Sequence, residues 1–119
     1  METPKIFESE YRLCELVWAH EPIPSGELVK LCMEQLEWKK STTYTVIRRL
    51  TERGVLKSEQ AVVTSLISRD EVQSSESAQV VDRTFSGSLP RFIAAFTRKK
   101  PLTPQEADEI QHIIDAYKG

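Results

Sequence analysis

A chain of 119 residues has room for one compact domain, or for a small domain with an oligomerisation arm. Hydrophobic residues make up 39% and charged residues 29%, a balance that excludes wholesale disorder. No apolar run approaches the ~18 residues of a membrane span, and the net charge of −2 excludes a uniformly basic protein but not a locally basic one. The first residues lack the pattern of a secretory signal, which predicts a cytoplasmic protein.

The first helix is predicted over residues 9–19, with Ser9 as its N-cap. Its apolar positions follow helical spacing: Leu13, Leu16 and Val17. Two prolines then end it, because proline cannot continue a helix. Ile23 lies between these prolines and is expected to be extended, as in a short edge strand.

Two further helices are predicted next, over residues 26–37 and 42–53, with Ser25 and Ser41 as their N-caps. The third helix has one apolar stripe: Val46, Ile47 and Leu50. Gly54 follows at the position where a Schellman-type stop needs a left-handed residue.

After Gly54 the pattern changes to β-rich runs at residues 55–57 and 62–66, which flank a tip at 58–61. Such a pattern predicts a short hairpin. Three helices and a hairpin in this order predict a winged helix-turn-helix, so the fold class is expected to be mainly α with a small β-hairpin wing. This head would occupy residues 1–67.

Residues 68–119 are predicted to form a helical arm, because Ser68 with Glu71 and Thr103 with Glu106 have the spacing of capping boxes. The apolar side chains of this arm are too many to leave in water, so a homodimer is expected. The predicted dimer interface comprises Phe85, Leu89, Phe92, Ile93, Phe96, Ile110, Ile113, Ile114 and Tyr117.

Positive charge is concentrated in residues 38–58, which contain six cationic side chains and a single carboxylate, Glu52. A helix that reads the major groove buries one face and offers the other to DNA. Opposite its apolar stripe, the third helix offers hydrogen-bonding and cationic side chains, which predicts a DNA-binding face. The candidates for base contacts are Ser41, Thr42, Tyr44, Thr45 and Arg48, and those for phosphate contacts are Lys39, Lys40, Arg49 and Lys57.

Other functions stay open at this point. A winged helix can also dock on a protein partner without binding DNA. An enzyme is less favoured, because His20 and His112 have no motif around them and the four glycines form no phosphate loop. Cys14 and Cys32 match no zinc spacing and are expected to be buried, so neither a metal nor a cofactor is expected.

Several separated segments together resemble the penicillinase repressor (BlaI/MecI/CopY) family of transcriptional regulators. They are Trp18, residues 41–50, 52–56, 66–71, 85–88 and 92–96. The resemblance implies a homodimeric repressor on a pseudo-palindromic double-stranded DNA operator, with interlocked C-terminal helices. It also implies regulation by a membrane-bound sensor protease, often in response to β-lactams, and gives no reason to expect a small-molecule ligand.

Three departures from the family pattern bear on DNA binding and regulation. The hairpin is short, with Glu59 and Gln60 at its tip and no cation beyond Lys57, which argues against contact between the wing and phosphate. Residues 92–96 resemble the segment that is cut in penicillinase repressors, which implies one cut at or near the bond between Ala95 and Phe96. Ala95 stands where those repressors have an asparagine. The cysteine-rich tail of the copper-responsive members has no counterpart in residues 112–119, so a copper sensor is not expected.

Overall fold

The computed structural model describes residues 3–119, which belong to two compact units, one extending to Glu76 and one from Ser77 to Gly119. The elements are, in chain order, α1 (Glu8–His20), β1 (Ile23–Pro24), α2 (Ser25–Leu36), α3 (Lys40–Glu52), β2 (Leu56–Glu59), β3 (Val62–Ser65), α4 (Arg69–Phe85), α5 (Leu89–Lys99) and α6 (Pro104–Tyr117). The predicted fold class, mainly α with a small β-hairpin wing, is confirmed.

The sheet is antiparallel, with strand order β1-β3-β2. Ile23 pairs with Val63, so the extended segment between the two prolines is an edge strand, as predicted. β2 continues to Glu59, and the turn is therefore shorter than predicted. It consists of Gln60 and Ala61, both at positive φ (51° and 61°), as in the type I′ turns whose twist matches that of a hairpin.

The core of the first unit lies where α1, α2 and α3 meet the hairpin, and its largest fully buried side chains are Leu13, Leu28, Leu50 and Leu56. The C-terminal turn of α3 also belongs to this core. Gly54 has φ +79°, and the N–H of Val55 donates to the carbonyl of Leu50 at 2.9 Å. The predicted Schellman motif is confirmed, and the side chains of Leu50 and Val55 that accompany it are both buried.

The three predicted N-caps Ser9, Ser25 and Ser41 are wrong, because each residue lies inside its helix. α1 begins where the carboxylate of Glu10 accepts a hydrogen bond from the N–H of Phe7 at 2.9 Å. α2 begins where the N–H of Ser25 donates to the carbonyl of Ala61 in the hairpin turn at 2.8 Å. Tertiary contacts thus fix the start of α2, and a local serine signal does not.

The beginning of α4 belongs to the first unit. The indole N–H of Trp18 donates to the carbonyl of Ile67 at 2.9 Å, and Val72 is fully buried. The amide of Gln73 donates to the hydroxyl of Tyr11 at 3.3 Å. The compact unit therefore runs past residue 67, whereas the functional division at 67/68 stays a prediction.

The second unit contains the end of α4 with α5 and α6. Ser86 and Gly87, at φ 51° and 80°, separate α4 from α5. The capping box of Thr103 and Glu106 is confirmed, with both hydrogen bonds at 3.0 Å. An aromatic contact links α4 to α5, with the ring centroids of Phe85 and Phe92 5.5 Å apart. Within α5, the centroids of Phe92 and Phe96 are 6.4 Å apart. No residue of α5 or α6 is buried.

Candidate nucleic-acid interface

α3 has one buried and one exposed face. Val46, Ile47 and Leu50 are buried, as the apolar stripe predicted. Thr43 is buried with them, a position that the stripe did not reveal. Its hydroxyl lies 3.5 Å from the carbonyl of Lys39 and is also hydrogen-bonded to the Cys32 thiol. Burial raises the pKa of that thiol, and the bond to Thr43 offsets only part of the rise.

The exposed face of α3 carries the residues that were predicted to contact bases. Ser41, Thr42 and Arg48 are exposed, and the ring of Tyr44 is 40% exposed. Thr45 is half-buried, and its hydroxyl donates to the carbonyl of Ser41 at 2.9 Å. The proton of that hydroxyl is therefore used within the helix, which leaves its oxygen as an acceptor for a ligand.

Four cations on or beside this face form no ion pair with a carboxylate in residues 3–119: Lys39, Lys40, Arg48 and Arg49. The first turn of α3 holds no acidic residue, and its N-cap provides no side-chain hydrogen bond. The positive end of the helix dipole and the two lysines therefore act together, in an arrangement that attracts phosphate.

Arg53 belongs to the basic segment in sequence but not in space. It is the C-cap of α3, and its guanidinium donates to the carboxylate of Glu10 and, at 2.7 Å, to the carbonyl of Lys5. It also lies over the ring of Phe7, at 5.6 Å from the centroid. Glu10 is 4% exposed, so Arg53 neutralises a buried charge and does not face a ligand.

Lys57 lies on β2 and is exposed. Its Nζ atom is 3.2 Å from Oε1 of Glu59 on the same strand. Among the cations of residues 38–58, Lys57 is thus the exposed one that forms an ion pair with a carboxylate of the described residues. The structure places Lys40, Arg48 and Arg49 on α3, Lys39 at its N-cap, and Lys57 on the wing.

Metal binding, thiol chemistry and membrane insertion find no support in the described residues. In residues 3–119, no group of three His, Cys, Asp or Glu side chains is arranged to hold a metal ion. Cys14 and Cys32 are both buried and unbridged, and burial with the charge of Glu10 raises the pKa of Cys14 to about 12. Over the same residues, no helix combines the length and apolar character needed to cross a bilayer.

The family model described as "Penicillinase repressor" matches residues 6–116. The chain belongs to the penicillinase repressor family. The resemblance seen in the separated sequence segments is thereby confirmed over both compact units. Penicillinase repressors are transcriptional repressors and not enzymes, which agrees with the class of function predicted.

Relatives within and near the penicillinase repressor family are distant in sequence. The penicillinase repressor of Bacillus licheniformis is 24% identical over 120 residues, which span 98% of this chain and 94% of that protein. An uncharacterised 16.5 kDa protein of Latilactobacillus sakei is 34% identical over 58 residues, 49% of this chain and 40% of that protein.

Two solved structures of the repressor BlaI match with 60% of this chain and 93% of their own length. One is its DNA-binding domain, with a TM-score of 0.54 and 25% identity. The other is the monomeric form of Bacillus licheniformis BlaI in complex with the blaP half-operator, with a TM-score of 0.52 and 26% identity. These neighbours confirm the winged-helix fold.

Proposed function

We propose that this member of the penicillinase repressor family is a sequence-specific repressor that binds a pseudo-palindromic DNA operator as a homodimer. One observation carries the proposal: the exposed face of α3 combines hydrogen-bonding side chains with four cations that form no ion pair with a carboxylate of residues 3–119. The complex of monomeric BlaI, a relative, with the blaP half-operator supports DNA binding by this fold.

In this proposal α3 lies in the major groove. Its base contacts come from Ser41, Thr42, Tyr44, Thr45 and Arg48. The guanidinium of Arg48 matches the O6 and N7 acceptors of guanine, and the hydroxyls can donate to or accept from base edges. Lys39, Lys40 and Arg49 flank this face and contact phosphates, which fixes the position of the helix without reading sequence.

Two substitutions on α3 test the base contacts. Arg48→Ala and Tyr44→Ala should each weaken operator binding by about 1–3 kcal/mol while affecting random DNA less, because base contacts exist only at the correct sequence. Lys40→Ala should weaken both and reduce the salt slope by about 0.9 for each head, which is about two for the dimer. Fluorescence anisotropy with operator and random duplexes over a salt series measures all three variants.

The chain offers matched controls for this experiment. Arg12→Ala and Lys30→Ala remove exposed cations from α1 and α2 and should leave operator affinity unchanged. If Arg48→Ala and Tyr44→Ala behave like these controls, α3 does not read the operator. Binding of a protein partner without any specific DNA binding would favour the alternative function of the winged helix.

The second unit supplies the proposed dimer contact. A single chain leaves both α5 and α6 without a buried residue. Large apolar side chains are exposed on them, and a second copy would cover these: Leu89, Ile93, Phe96, Ile113, Ile114 and Tyr117. Phe85, Phe92 and Ile110 are half-buried beside them. A dimer with two α3 helices about one turn apart, ~34 Å, fits a palindromic site.

Release of the operator is proposed to follow cleavage between Ala95 and Phe96 by a membrane-bound sensor protease. The bond lies inside α5, so the helix must open locally before a protease can reach it. Phe96 is 51% exposed, and α5 ends at Lys99, shortly before Pro101. Cleavage would detach residues 96–119 with α6, and loss of the linked partner would weaken operator binding roughly 10²–10⁴-fold.

Mass spectrometry of the protein tests this release when it is expressed with its neighbouring genes and treated with the inducer. A fragment that ends at or near Ala95 is the expected product. An intact chain that leaves the operator would contradict cleavage. Because Ala95 departs from the family pattern, Ala95→Asn serves as a comparison and should be cut at least as fast if the family's protease acts here.

A further inference from the structure

The wing has almost no charge of its own. Between Gly54 and Ile67 the only ionisable side chains are Lys57 and Glu59. They lie two residues apart on β2, and side chains with this spacing share one face of a strand. The 3.2 Å contact between Nζ of Lys57 and Oε1 of Glu59 agrees with that placement. Both side chains are exposed.

We infer that Glu59 neutralises the wing toward DNA and confines the phosphate contacts of each head to the cations of α3. The inference rests on the proposed function and adds a residue that limits affinity. The sequence offers Lys57 as a candidate for a phosphate contact, while the short wing argues against one. The inference decides against the contact, because Glu59 cancels the charge of Lys57.

The effect does not depend on a lasting ion pair. An exposed pair stabilises a protein by only ~0–1 kcal/mol, so a phosphate can displace Glu59 from Lys57. The carboxylate nevertheless stays on the same strand face, two residues away. A wing that brings Lys57 to the backbone therefore brings Glu59 with it, and attraction and repulsion cancel. The short turn of Gln60 and Ala61 adds no cation beyond them.

A neutral wing has a consequence for release. Phosphate contacts supply the sequence-independent part of DNA affinity. A head that lacks one of them is held less firmly when it binds alone. Operator occupancy then depends more strongly on the second head, so loss of the dimer frees the operator more completely.

A salt series on random-sequence duplex DNA tests the inference without knowledge of the operator. The proteins are wild type, Glu59→Gln, Lys57→Ala, the double variant, and Glu15→Gln, which removes an exposed carboxylate from α1. Each freed phosphate contact steepens the plot of log affinity against log salt by about 0.9. For two wings, Glu59→Gln should raise the ratio of affinities at about 50 and about 200 mM salt roughly tenfold over wild type.

The variants separate the outcomes. Glu15→Gln should keep the wild-type slope, and the double variant should return to it, because the gain in Glu59→Gln requires Lys57. Lys57→Ala leaves the carboxylate of Glu59 uncompensated and should weaken binding and flatten the slope. A double variant whose slope is as flat as that of Lys57→Ala, or an unchanged slope in Glu59→Gln, would overturn the inference while leaving DNA binding intact. Absence of any salt-dependent binding by wild type would instead overturn the proposed function, and the inference with it.

Discussion

Replacing Arg53 with methionine is expected to lower the free energy of unfolding by about 2–4 kcal/mol. The substitution leaves the carboxylate of Glu10 in the core without its cation, and Glu10 is 4% exposed. Loss of one partner from a fully buried pair costs ~3–5 kcal/mol, and the partial exposure of Arg53 lowers that figure here. The carbonyl of Lys5 also loses its donor. Urea unfolding followed by circular dichroism measures the change.

The loss should depend on pH with a definite sign. Burial raises the pKa of Glu10, but the hydrogen bonds from Arg53 and from the N–H of Phe7, with the charges of Arg53 and Arg49, outweigh burial and lower the pKa. A carboxyl with a lowered pKa stabilises the fold above its unfolded pKa of ~4.3, and this contribution is lost as the pH falls through the folded pKa. Without Arg53, protonation of Glu10 relieves the buried charge. The stability difference should therefore shrink between about pH 7 and about pH 4.

Arg12→Met is the matched control for Arg53→Met. Arg12 lies 3.9 Å from Glu8, but both side chains are exposed, so its removal should change stability by less than about 0.5 kcal/mol. Adding Glu10→Gln to Arg53→Met should recover part of the loss, since the uncompensated charge is removed. A loss that neither pH nor Glu10→Gln alters would show that Arg53 acts only through packing.

Ile113→Asp is expected to dissociate the proposed dimer and to weaken operator binding about 10²–10⁴-fold. Ile113 is 57% exposed in the single chain, so the substitution should disturb the fold of one chain little. Its large effect arises only if a second copy covers this face of α6. Sedimentation at micromolar concentration gives the oligomeric state, and anisotropy gives the operator affinity.

His112→Asp introduces the same charge at the neighbouring exposed position, off the apolar stripe of α6. It should leave the dimer and operator affinity near wild type. A monomeric wild type, or an Ile113→Asp protein that dimerises as well as His112→Asp, would contradict the proposed role of the second unit.

Much of the fold could be predicted because its signals are local. Gly54 and the apolar residues on each side of it lie within one turn of the end of α3, and the box of Thr103 and Glu106 spans four residues. The hairpin is signalled by two β-rich runs on either side of a short polar tip. Such patterns depend on neighbours in sequence, so they can be recognised before any tertiary contact is known.

The features that were missed depend on long-range contacts. Arg53 counted as one more cation of a basic segment, yet its partner Glu10 is 43 residues away in sequence. Thr43 seemed as polar as Thr42, but it faces the core next to Cys32. The spacing of apolar residues cannot reveal a buried threonine or an inward arginine, because each is stabilised by one specific partner.

Selection of DNA sites from a random duplex pool tests the central claim most directly. Wild-type protein should enrich a pseudo-palindrome whose half-sites lie about 10 base pairs apart, or a multiple of that distance, from centre to centre. Arg48→Ala, selected from the same pool, should lose its preference at one position in each half-site. A pool without enrichment, or an enriched site that Arg48→Ala reads as wild type does, would contradict sequence-specific recognition through α3.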